Sequence, residues 1–240
     1  MNGVTRSTRV ARPERRRRIR SGSLCANLIV GKQNTRLEAD VGCVARRRVP
    51  LVMTSVGSPK PVIGPLREAG WLVLADVVSE RYAHKALEAG ADGLVLLSAG
   101  AGGHTGWANP FAFVRAVRAF YDGPLAVAGG MSDGVALWAA ISAGYDLGLF
   151  ETRFIATPVS GVSQQWRQAL VDSTMDDVTL MTAANGVVAS VIGSGAGSAG
   201  HIGAVHREMT VAEVVDDIEA GWRDARAAAS ALLNSGSEPT

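Results

Sequence analysis

Short apolar runs recur along this chain at intervals of about 20–30 residues, the distance that a strand–helix–strand crossover needs. They are LCANLIV (24–30), VPLVMTSVG (49–57), WLVLADVV (71–78), GLVLLS (93–98), PLAVAGG (124–130) and LGLFETRF (147–154). Each is brief and rich in β-branched residues, the composition of parallel strands buried on both faces. Between them the apolar positions take helical spacing, which predicts helices over 34–48, 59–69, 80–89, 110–121 and 133–143. Gly70 and Gly90 close the second and third of these. Strands separated by helices make βα units in a parallel sheet. About six units fit before Phe154; a closed barrel has eight, whereas an open doubly wound sheet has five or six. Pattern alone leaves both architectures open.

Beyond residue 155 the pattern changes. A helix is predicted over Ser163–Val171, then a Gly/Ser/Ala-rich loop over Ala189–Gly203, then a C-terminal helix over Thr210–Leu233. A loop of that length is more than a connector.

Charge separates the chain into two parts. Residues 1–22 carry eight Arg against the single Glu14, a balance of +7. Subtracting that from the whole-chain +2 leaves −5 for residues 23–240. The Arg-rich stretch is expected to be disordered. It reads either as a nucleic-acid-binding arm or as coding sequence misassigned upstream of the domain. The remainder, one domain over 23–240, has no broad basic face, so nucleic acid is not an expected partner. Cys25 and Cys43 lack metal or redox spacing, and reduced thiols in a cytoplasmic protein are the simpler reading. No apolar run reaches the ~18 residues of a membrane span, and none has the form of a secretory signal.

The stretch with the most chemical content is Ala99–Gly106, AGAGGHTG, just past a buried strand. Ligands bind at the C-terminal ends of parallel strands. Gly102 and Gly103 let backbone approach a planar or anionic ligand, and His104 offers a base that works near neutral pH. The alternative is a flexible loop that happens to carry a surface histidine. Gly129 and Gly130 follow the next strand and precede a helix, which is an arrangement for anion binding. Phe150, Glu151 and Thr152 end the strand after that, so the two turns could grip one phosphate; tight turns with no ligand are the rival reading. Asn27 is an amide inside an apolar run, expected to be buried, and either orients a ligand or satisfies nearby backbone. Asp76 is a strand-end contact or a helix cap. His84 is expected on a solvated helix face. His201 and His206 have poor metal spacing, so no metal is expected.

Three stretches together resemble the nitronate monooxygenases, formerly called 2-nitropropane dioxygenases: GADGLVLLSAGAGGHTGWANPF (90–111), DGPLAVAGGMSDG (122–134) and TRFIATPVS (152–160). The upstream NLIVGKQNTRLEADVGCVARRRVPLVMTSVG (27–57) resembles the third and fourth barrel segments of that family. The resemblance covers roughly residues 24–233. It implies a TIM-type (β/α) barrel that holds FMN non-covalently, incomplete here by its first one or two βα units. His104 would match the catalytic base, Gly102 and Gly103 the flavin wall, and Asn27 a family asparagine near the flavin. Gly129, Gly130 and the Phe150–Thr152 turn would match the phosphate site.

The implied reaction is oxidation of an alkyl nitronate or nitroalkane by oxygen to a carbonyl compound and nitrite. The implied partners are a small carbon acid and oxygen, with a homodimer as one assembly. Flavin-dependent enoyl-thioester reductases share much of the pattern, and an inactive flavin-barrel fragment is a further reading. The chain departs from the family at Glu151, where a glycine is commoner, and at Leu97, where some members carry a polar flavin contact. The family's opening strand with its Gly/Met-rich loop is not visible in this sequence.

Overall fold

The computed structural model describes residues 23–182, 186–193, 197–200 and 203–235. The expectations for residues 1–22 and for His201 lie outside them. Six strands form one sheet: β1 (Cys25–Ile29), β2 (Leu51–Ser55), β3 (Leu72–Val77), β4 (Gly93–Leu97), β6 (Leu125–Ala128) and β7 (Leu147–Leu149). Their order is β1-β2-β3-β4-β6-β7, and the pairings β1–β2, β2–β3 and β3–β4 are parallel and in register. That order decides between the two architectures left open by the sequence. A doubly wound sheet reverses its strand order at a switch point. Here each strand adds beside the one before it, which is the barrel arrangement. The fold is therefore of the (β/α)-barrel class, with six strands in its parallel sheet among the described residues.

The chain divides into two compact units, residues up to Leu96 with Phe111–Ala126, and Leu97–Pro110 with Val127 onward. In the first unit, helices α1 (Leu37–Arg46), α2 (Lys60–Glu68), α3 (Glu80–Ala89) and α4 (Pro110–Arg118, nearly all in this unit) connect the strands. Its core is aliphatic, built on Val52, Leu66, Val73, Leu94, Val114 and Leu125. Polar groups inside it are satisfied. Asp92 is buried and accepts from the Val73 N–H at 3.0 Å, while the Asp92 carbonyl accepts from the Tyr121 hydroxyl at 2.7 Å. Ser79, not Asp76, caps α3, accepting from the Tyr82 N–H, and Gly90 closes that helix with φ +105°. His84 is exposed, as expected, but stacks on Phe120 at 3.9 Å between ring centroids.

β1 departs from the expectation of a strand buried on both faces. Three of its five residues, Asn27 among them, are exposed. The reason is topological: among the described residues β1 is hydrogen-bonded on one side, to β2. Asn27 is consequently not a buried amide. Its Oδ1 accepts from the Ser55 hydroxyl at 2.9 Å. Cys25 and Cys43 are both exposed and unbonded to each other. No helix among the described residues is long and apolar enough to cross a membrane.

The second unit holds α5 (Gly134–Ala143), the short helix α6 (Thr152–Ile155), α7 (Gln164–Asp172) and the long α8 (Val211–Ser235). It also holds a second, antiparallel sheet made by β5 (Gly103–His104), β8 (Val178–Thr182), β9 (Val188–Ile192) and β10 (Gly197–Ser198). This corrects two expectations. The stretch 189–203 is not one loop, because β9 and β10 occupy much of its described part. The run LGLFETRF is not one strand, because β7 ends at Leu149 and Thr152 already starts a helix. The antiparallel sheet packs through Ile192 and Ala199 on a cluster with Ala156, Leu170 and Val205.

α5 and α8 cross at closest approach through Gly134. A Cβ there would lie 2.1 Å from the Trp222 nitrogen and 2.2 Å from the Ile218 oxygen, both backbone atoms that cannot move independently. A Cβ at Gly221, across the same contact, would meet Gly134 at an ordinary 3.5 Å. Gly134→Ala is therefore expected to cost about 1–3 kcal/mol by overpacking, while Gly221→Ala is nearly neutral. Calorimetric midpoints of the two variants check this, and equal midpoints would contradict the packing.

Candidate functional site

Asn27 apart, the residues expected to bind a ligand come from three chain segments of the second unit. The first is the loop after β4. Ser98 is buried and gives both its N–H (2.9 Å) and its hydroxyl (2.8 Å) to the Ala128 carbonyl at the end of β6. The loop then folds back. The Ala101 N–H donates to the Ser98 carbonyl, the Thr105 hydroxyl donates to the same carbonyl at 3.2 Å, and the Ala99 N–H donates to the Ala108 carbonyl. AGAGGHTG is thus a packed, hydrogen-bonded loop, not a slack one.

The second segment is the turn after β6. Gly129 has φ +116°, and a Cβ there would sit 2.9–3.0 Å from the Ser98 and Ala99 oxygens and the Ala101 nitrogen. Only glycine permits both that backbone and that proximity. The third segment is the end of β7 with α6. The Thr152 side chain is buried, and its Oγ1 accepts the Gly200 N–H at 3.0 Å. A Cβ on Gly102 would come 2.6 Å from that same Gly200 nitrogen. The three segments are locked by contacts that the absence of side-chain bulk allows.

Together they enclose a cavity of about 20 Å³, lined by Gly100, Ala101, Gly102, Ala128, Gly129, Gly130, Met131, Leu149, Glu151 and Thr152. That is room for one water or one small group. Of the residues expected at a site, the structure brings Gly102, Gly129, Gly130, Glu151 and Thr152 together. Gly103 and Phe150 do not line the cavity, and Asn27 belongs to the other unit. His104 is exposed, two residues beyond Gly102, a span of at most about 7 Å along an extended chain. Its backbone is held in β5 opposite Ala189, with Gly103 opposite Ser190 and the Thr105 N–H donating to the Val188 carbonyl at 3.1 Å.

Among the described residues, Glu151 is the one ionisable group on the cavity wall. Glu151 is exposed at its surface, yet desolvation by the surrounding protein raises the pKa of its carboxyl above the ordinary carboxylate value. A larger cavity of about 390 Å³ lies in the first unit along α1 and α2, lined by Leu37, Val41, Pro61, Val62 and Pro65 with Asn34, Thr35 and one acid, Glu38. It lacks a base beside an anion site.

Sequence reasoning missed two parts of this site. One is the hairpin β8–β9 that fixes His104. Its signal was present: VTLMT and VASVI are β-branched runs joined through Asn185-Gly186, a hairpin dipeptide. The other is Arg153, which neighbours Glu151 and Thr152 and is buried. No pattern in the sequence pairs it with a partner. Among the described residues no group of His, Cys, Asp and Glu is arranged to hold a metal.

The chain matches the family model described as nitronate monooxygenase over residues 11–197. It is 27% identical over 202 residues to a Mycobacterium tuberculosis protein named (3aS,4S,5R,7aS)-5-hydroxy-7a-methyl-1-oxo-octahydro-1H-indene-4-carboxyl-CoA dehydrogenase, covering 82% of this chain and 51% of that protein. It is 30% identical over 137 residues to a nitronate monooxygenase of Paraburkholderia phytofirmans, covering 53% of this chain and 37% of the relative. The chain therefore spans about half or less of the length of these relatives. Its fold matches the structure of FabK from Thermotoga maritima with a TM-score of 0.79 at 22% identity, covering 87% of this chain and 78% of that one.

Proposed function

This chain belongs to the nitronate monooxygenase family of oxidoreductases, and we propose that it binds FMN and oxidises alkyl nitronates, or nitroalkanes, with oxygen to a carbonyl compound and nitrite. The observation that carries the reading is the glycine-walled cradle of Gly102, Gly129 and Gly130, closed by Glu151 and Thr152, with His104 just outside it. Backbone amides at the end of a strand and before a helix suit a phosphate. The cradle fits that group on one condition. A carboxylate beside a phosphate is repulsive, so Glu151 has to turn aside where it is ionised, and the raised pKa of its carboxyl widens the pH range in which it is neutral.

When bound, FMN supplies the electron acceptor. The chain's residues do the rest. Gly129 and Gly130 hold the phosphate end. The Thr152 hydroxyl proton is free to point into the cradle, because its oxygen is occupied as acceptor from Gly200. His104, fixed by β5 and β9, takes the proton from the carbon acid at an imidazole nitrogen. The same base near a flavin also suits a CoA-thioester substrate, and the dehydrogenase relative favours that as the second reading.

Purified protein reconstituted with FMN is expected to turn yellow with a bound-flavin absorbance band. It is further expected to release nitrite from a nitronate. NADH oxidation driven by an enoyl thioester, without nitrite release, would move the assignment to the second reading. Colourless protein at saturating FMN would defeat both.

A further inference from the structure

Arg153 is buried, 6% exposed, and lies next to the cradle wall without lining the cavity. Its guanidinium holds three segments at once. One nitrogen donates to the Ser132 carbonyl at 3.0 Å, one residue past Met131 of the wall. The other donates to Asp217 of α8 at 2.5 Å and to the Met209 sulfur at 3.5 Å. The Asp217 side chain is half exposed. A buried guanidinium that loses its carboxylate is left uncompensated, so this geometry is strongly enforced. The segment that Arg153 belongs to, α6, has only four residues and cannot orient itself by its own hydrogen bonds.

We propose that Arg153 is a positioning residue: it fixes the spacing between the Gly129–Met131 turn and the Glu151–Thr152 turn, and through Asp217 it makes the C-terminal helix α8 part of the anion site. The planar fork matters, not the charge alone. A guanidinium serves Asp217 and the Ser132 carbonyl from two nitrogens set at a fixed angle, whereas an ammonium is a single point on a shorter stem. The consequence for ligand binding rests on the FMN reading above; the consequence for the spacing of the turns does not.

Three variants test it: Arg153→Lys, Asp217→Asn and, as a control for general loosening of the same unit, Leu170→Ala in the apolar cluster with Ile192 and Val205, which contributes no residue to the cavity wall. Arg153→Lys is expected to weaken FMN binding about tenfold, the scale of a small misplacement of binding groups, while its thermal midpoint stays above that of Leu170→Ala. Asp217→Asn keeps an acceptor and is expected to fall between wild type and Arg153→Lys in FMN affinity. Leu170→Ala is expected to keep the wild-type affinity despite its lower midpoint. FMN affinity that simply follows the midpoint across the three, or wild-type affinity in Arg153→Lys, would overturn the proposal. If the wild-type protein binds no FMN, the functional reading fails by itself, and amide hydrogen exchange then decides this one. Residues 129–132 are expected to exchange faster in Arg153→Lys but not in Leu170→Ala. Unchanged exchange there in Arg153→Lys would overturn the positioning role.

Discussion

Replacing His104 with asparagine is expected to slow turnover of a neutral nitroalkane by about 10²–10⁴-fold, the usual worth of a positioned base. FMN absorbance should be unchanged, because His104 lies outside the cradle wall. The same variant should act on a preformed nitronate at close to the wild-type rate. A nitronate has already lost its carbon proton, so it bypasses the step that the proposed function assigns to the imidazole. The contrast between the two substrates separates loss of a base from loss of structure. The histidine's backbone is held by the ladder to β9 and does not depend on its side chain, so the fold should tolerate the change. Equal rates of the variant and wild type on the neutral nitroalkane would remove His104 from the chemistry.

Glu151→Gly is expected to tighten binding of a phosphate-bearing ligand on the order of tenfold at neutral pH. Two like charges about 5 Å apart repel by roughly 1–3 kcal/mol at the effective dielectric of a protein surface. The sign with pH follows from the raised pKa of this carboxyl. Below its folded pKa Glu151 is neutral and the repulsion is absent; as pH rises through that value, the carboxylate forms and affinity falls. Glu151→Gln, which never ionises, should lose this component and keep only the titration of the phosphate itself.

Stability follows the same direction. The folded state holds the Glu151 proton more tightly than the unfolded chain does, so stability declines as pH rises from the ordinary carboxylate value through the folded one. The glutamine variant should be flatter over that window and more stable above it. Calorimetric titrations of FMN and of thermal midpoints, wild type beside Glu151→Gln, measure both effects. Parallel curves for the two proteins would show that the carboxyl does not face the ligand.

The strands β2, β3, β4 and β6 of the parallel sheet were legible because burial on both faces leaves a distinct composition, short and apolar, and because helices of regular spacing separate them. The helix stop at Gly90 was legible for a local reason, since a left-handed residue ends the helix wherever the chain goes next. Errors arose where burial depends on a neighbour. LCANLIV has the composition of a two-faced interior strand, but among the described residues β1 has a strand on one side, and Asn27 is exposed as a result. Likewise Gly- and Ser-rich composition concealed β9 and β10, and the pairing of β9 with β5 joins residues far apart along the chain.

The site divides in the same way. The glycines at 102, 129 and 130 were readable because close backbone approach excludes a side chain whatever surrounds it. That Glu151 and Thr152 share a wall with them, and that Gly103 and Phe150 do not, is a matter of three segments meeting in space. The Arg153–Asp217 pair spans 64 residues, and neither charge marks the other in the sequence. Local backbone chemistry and apolar periodicity are properties of a stretch of chain, so the sequence alone determined the βα repeat, its helix stops and the glycine turns. Strand order, the edge position of β1 and the ion pair behind the cradle are properties of non-local pairing. Only the folded chain decided those, because a pairing has no energy until its two halves are brought together.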